Sequence, residues 1–79
     1  MSQYIPTSKE LQFLEEVFTY HTPFGTQTQR YVDLRNKAKE FALLIMESCP
    51  ESREKSLALT DLQMAVQMAN ASIAIHEKE

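Results

Sequence analysis

Disulfides, metal-ligand spacings and glycine-rich loops are all missing from this 79-residue chain. Cys49 stands alone, so no internal bridge can form and a reducing compartment is the simpler setting. A single glycine, Gly25, leaves little for tight β-hairpins and nothing for a phosphate-cradling loop. Neither HExxH nor CxxC occurs, His21 and His76 lie far apart, and Cys49 adjoins Pro50 with no thiolate-activating signature. An enzyme is therefore not expected, nor is a metal or other cofactor. The longest apolar run, residues 41–46, is far too short to cross a bilayer, and the opening MSQYIPTSKE has no apolar core of signal-peptide length. A soluble protein of one domain, residues 1–79, is the expectation. Eight basic residues against eleven acidic ones give a net charge of −3. The cations are interleaved with carboxylates, which argues against a duplex-DNA binder and leaves room for a small anionic ligand.

What is present has helical period. A short helix is expected over residues 8–18, because Pro6 precedes it and Thr7 with Glu10 has capping-box spacing. Leu11, Leu14 and Phe18 form one face of it, flanked by Phe13 and Val17. Residues 19–26 carry Pro23 and Gly25 and read as a bend. In the second expected helix, residues 26–48, Tyr31, Leu34, Ala38, Phe41 and Ile45 recur at three and four, a coiled-coil-like seam. Pro50 disfavours helix at Cys49 yet suits the first turn of a third helix, expected over residues 51–76. The fold class is all-α: a short N-terminal helix, then a long antiparallel helical hairpin.

The third helix carries two apolar stripes: Leu59, Leu62, Val66, Ala69 and Ile73 on one, Leu57, Met64, Met68, Ala71 and Ile75 on the other. One partner helix covers one stripe. So short a chain has little else to lay over the second, and self-association is the economical solution. A homo-oligomer is expected, with Met46, Met64 and Met68 as core or interface filler.

The run Arg30-Tyr31-x-x-Leu34-Arg35-x-x-Ala38-Lys39, the segment Cys49-Pro50-x-Ser52-Arg53-Glu54-Lys55-Ser56-Leu57-Ala58-Leu59-Thr60 and the segment Ala65-Val66-x-Met68-Ala69-Asn70-Ala71 together resemble a phage-encoded helical hairpin domain. That family includes the sponges that phages direct against the cyclic oligonucleotides of CBASS immunity and the cyclic ADP-ribose signals of Thoeris. The likeness spans about residues 18–77. It implies a homo-oligomer, a hexamer, that holds cyclic nucleotides intact between subunits in the cytoplasm of the infected bacterium, without cleaving them and without a membrane. In anti-CBASS members a tyrosine ahead of the second helix and a basic residue on that helix contact cyclic dinucleotides. Here these fall on Tyr20 and Arg35, with arginine where lysine is usual and with a different flanking loop, residues 19–23. Some members also hold cyclic trinucleotides in separate pockets where three subunits meet. Arg53 and Lys55 are the candidates for such a second pocket.

Capturing a cyclic nucleotide takes a flat apolar surface for each base and a cation or N–H group for each phosphate. Tyr20, Phe24, Arg30 and Arg35 supply both types within 16 residues. Plainer readings exist. Tyr20 and Phe24 are also suited to packing beside a helix end, Arg35 to a solvated face near Asp33, and Ser52 to capping. Ser52, Arg53, Lys55 and Ser56 could grip a phosphate at a helix start or serve as cap and surface charge. Thr60 and Asn70, beside the apolar stripes, are either interface anchors or pocket donors. The alternative function is an oligomeric structural or protein-binding module that holds nothing small.

Overall fold

Thr7 opens the first helix: its hydroxyl accepts from the Glu10 N–H at 3.1 Å while Glu10 Oε1 accepts from the Thr7 N–H at 2.9 Å, the reciprocal capping box expected from the spacing. A computed structural model describes residues 4–77 and places three helices along them, α1 (Ser8–Phe18), α2 (Gln27–Ser48) and α3 (Arg53–His76), with no strand among the described residues.

Gly25 makes the bend before α2. It adopts φ +57, the left-handed conformation that glycine reaches without steric cost, and the Phe24 carbonyl accepts from the Gln27 N–H at 3.1 Å to close the turn. Four residues, 49–52, separate α2 from α3, and the two helices pack as an antiparallel hairpin. Pro50 does not enter α3. Ser52 caps it, accepting from the Lys55 N–H at 3.1 Å and donating its hydroxyl to the Pro50 carbonyl at 3.1 Å, so the helix begins at Arg53, two residues beyond the expected start. Lys55 then ties the turn together: its Nζ donates to the Met46 carbonyl at 3.0 Å and to Glu51 Oε1 at 2.7 Å.

The α2 seam turns inward: Ile45 is 9% exposed and Tyr31, Leu34 and Ala38 are half-buried, facing Leu59, Leu62, Val66, Ala69 and Ile73, all half-buried on α3. Phe41, in the same seam, stays 54% exposed. The second stripe of α3 splits. Ala71 and Ile75 are half-buried, whereas Leu57, Met64 and Met68 face solvent. Helix α1 rests on α3 and not on α2, with Leu11, Phe13, Leu14, Val17 and Phe18 exposed.

The result is one layer thick. The chain measures 50 × 38 × 15 Å, with a radius of gyration of 17.4 Å, against about 12 Å for a compact domain of this length. Its accessible surface is 6817 Å² for 9.1 kDa, where a compact monomer of that mass exposes about 4,900 Å².

Candidate functional site

The open end of the hairpin, where the 19–26 bend meets the end of α3, holds the most organised polar cluster among the described residues. Its hub is Glu77, the residue that ends α3 with an extended backbone. Arg30 grips it with both terminal nitrogens, Nη1 to Oε2 and Nη2 to Oε1, each at 2.6 Å. This is the parallel fork geometry that makes arginine selective for carboxylates and phosphates. Gln27 donates a third hydrogen bond, Nε2 to Glu77 Oε1 at 3.1 Å, and accepts one from the Phe24 N–H at 3.1 Å. Only 3% of Gln27 is exposed, a polar side chain buried with its bonding satisfied.

The remaining Arg30 nitrogen, Nε, donates to Thr26 Oγ1 at 3.0 Å. That bond occupies the Thr26 hydroxyl, which makes no cap bond to α2, and the first turn of α2 contains no acidic residue. Glu77, from another helix, supplies the negative charge there. The Arg30 and Gln27 hydrogen bonds, in that order, hold the Glu77 carboxyl down to about 2, and the Glu77 hydrogen bonds in turn raise Arg30 further above its ordinary value.

Beside this cluster lies an open groove of about 270 Å³, lined by Tyr20, His21, Thr22, Phe24, Gln27, Ala74 and Glu77. Tyr20 is 80% exposed, its ring free for a flat partner, and Phe24 is half-buried. His21 fixes the bend from the other side through Nε2, 2.9 Å from the Glu16 carbonyl.

The structure brings Tyr20 and Phe24 together, with Arg30 reached through Glu77. It does not bring in the other candidates. Arg35 lies eight residues into α2, about 12 Å along the helix, and lines a different groove with Ala38, Leu59, Leu62 and Val66. It is exposed and has no ion-pair partner among the described residues, since Asp33 instead accepts from Gln29 at 2.9 Å. Arg53 and Lys55 sit at the closed end, the length of α2 away, about 33 Å. Arg53 is exposed in the first turn of α3. Lys55 is held in the turn, its side chain only 11% exposed, and its ammonium lowers the Glu51 carboxyl.

Gln27 and Glu77 did not stand out in the sequence. Their partners lie 47 and 50 residues away, and no local spacing announces them. Asn70 keeps a buried Oδ1 without a hydrogen-bond partner.

A short helix leading into an antiparallel pair, with two aromatic rings and a single arginine–glutamate fork at the open end, defines a helical hairpin domain. The chain belongs to the Acb2/Tad1 hairpin-domain family, whose model matches residues 10–74. This is the anti-CBASS and anti-Thoeris sponge family that the motif segments resemble. No curated protein and no solved structure matches the chain.

Proposed function

We propose that this protein is a phage anti-defence sponge: a single hairpin domain that assembles with copies of itself, captures cyclic oligonucleotide messengers without altering them, and so silences CBASS- or Thoeris-type signalling in the cytoplasm of the infected cell. The family match over residues 10–74 carries this reading. The open end supports it with the two surface types a cyclic nucleotide needs, an exposed aromatic ring at Tyr20 and a guanidinium in fork geometry at Arg30. Cyclic dinucleotides are the first ligand class, with cyclic trinucleotides and cyclic ADP-ribose isomers next. The mechanism is mass action: binding lowers free messenger below the level the host effector needs.

Assembly is part of the same reading. The surface exceeds that of a compact monomer by about 1,900 Å², while a stable interface takes about 800 Å² from each partner. Each chain thus has enough surplus for about two neighbours, as a closed ring or hexamer requires. Because Tyr20 and Arg35 line separate grooves of one chain, a pocket using both draws them from two subunits.

Native mass spectrometry with a panel of cyclic di- and trinucleotides and cyclic ADP-ribose isomers, followed by analysis of the released ligand, tests this. Intact ligand recovered from an oligomer is the expected result, and an altered ligand would reveal an enzyme. Tyr20→Ala should remove a stacking surface worth about 1–3 kcal/mol per base while leaving the oligomer whole; undiminished binding would remove Tyr20 from the pocket.

One observation favours a second reading, an assembly module that holds nothing small. Two of the four candidate cations, Arg30 and Lys55, are already paired with carboxylates of their own chain. An oligomer that takes up no member of the panel is the result this reading predicts.

A further inference from the structure

Arg30 has two faces to its chemistry: it is the best-formed anion fork among the described residues, and an anion already occupies it. The Glu77 carboxylate presents two oxygens to Nη1 and Nη2, with Gln27 Nε2 as a third donor. A phosphodiester presents the same two unbridged oxygens and the same single negative charge to the same fork. The exposed ring of Tyr20 and the half-buried ring of Phe24 line the adjoining groove, so a nucleotide stacked there brings its phosphate to the Glu77 position.

Glu77 is also built to leave. It stands past the last turn of α3, with extended backbone, and its own N–H bonds to the Ile73 carbonyl at 3.2 Å. Its carboxylate can swing away with α3 intact. The ion pair is about 40% exposed on both sides, where competing anions and salt reach it.

We propose that Glu77 is an internal competitor for the nucleotide phosphate: it fills the Arg30–Gln27 anion site in the free protein, and a phosphodiester displaces it on binding. This rests on the cyclic-nucleotide reading above and adds the residue that sets the threshold for capture. A site filled by its own carboxylate rejects weak anions such as inorganic phosphate. It admits a ligand that adds base stacking to the exchange, because the swap of one anion for another is nearly even on its own.

The test is isothermal titration of wild type, Glu77→Gln and Arg30→Gln with 3′,3′-cyclic GMP–AMP and, separately, cyclic tri-AMP. Glu77→Gln removes the competing charge and should bind at least one probe roughly three- to tenfold more tightly, as expected for one lost charge-assisted partner. Arg30→Gln should bind it more weakly than wild type. Binding by Glu77→Gln where wild type shows none also supports displacement. If wild type binds and Glu77→Gln is no tighter, or Arg30→Gln binds equally well, displacement is wrong and the sponge reading stands. If none of the three proteins binds either probe, displacement by these phosphodiesters is wrong, and the sponge reading is decided separately by the wider panel above. Should Glu77→Gln lose its helical circular dichroism, Glu77→Asp, which draws the carboxylate back by one methylene, takes its place with the same direction of change expected.

Discussion

At the scale of single residues, the chain commits its charges unevenly. Arg30 and Lys55 spend theirs inside the molecule, one joining the ends of α2 and α3 and the other locking the turn between them, whereas Arg35 and Arg53 face solvent. Glu77 gives this division a pH signature. Its carboxyl is held at about 2, below the 4.5 of an ordinary glutamate. A depressed carboxyl contributes stability that is full above the unfolded value and is lost as pH falls through the folded one. The wild-type melting temperature should therefore exceed that of Glu77→Gln near pH 5, and the gap should close between pH 4.5 and about 2. Glu10 and Glu51 are also lowered, by Thr7 and Lys55 respectively, but they titrate in both proteins and drop out of the difference. A gap that stays constant across that range would show that the ion pair has no weight in solution. The Arg30–Glu77 pair was not legible in the sequence because contacts at a separation of 47 residues depend on where two helix ends meet, and spacing rules reach only three or four residues along one helix.

At the scale of elements, the helices were legible to the extent that their signals are local. The seam from Tyr31 to Ile45 fixes which side of α2 turns inward, and Thr7 with Glu10 marks the start of α1, since both rest on helical period and a three-residue capping distance. The start of α3 was misplaced by two residues because Pro50 and Ser52 both suit a helix entry, and the hydroxyl that can cap prevails over the ring that merely tolerates the first turn. The docking of α1 was not legible at all. Its apolar residues spread over a wide face with no seam, and the helix rests on α3 while leaving most of that face open. The Ser52 cap is testable: Ser52→Ala should destabilise the protein by about 1 kcal/mol, read from urea unfolding at fixed protein concentration. No loss would mean that the Lys55 contacts to Met46 and Glu51 hold the turn unaided.

At the scale of the whole molecule, a layer 15 Å thick cannot enclose its own apolar surface. Only Ile45 and Gln27 come close to full burial among the described residues, and Met64 and Met68 stand 48% and 59% exposed on the outer stripe of α3. If that stripe is the subunit interface, Met68→Glu should shift the protein toward monomer in size-exclusion chromatography with light scattering; an assembly of unchanged size would place the interface elsewhere, with the face of α1 as the next choice. The four-residue connection between α2 and α3 has a kinetic counterpart. Although the open end joins residues 47 and 50 apart, pairing can start at the turn and run outward, and helical topologies of this kind fold in microseconds to milliseconds. If the protein assembles with copies of itself as proposed, completing each chain is fast and independent of concentration, while the docking of one chain on another is second order. The delay before the protein becomes competent would be set by how quickly the cell fills with copies of it rather than by how quickly any copy folds.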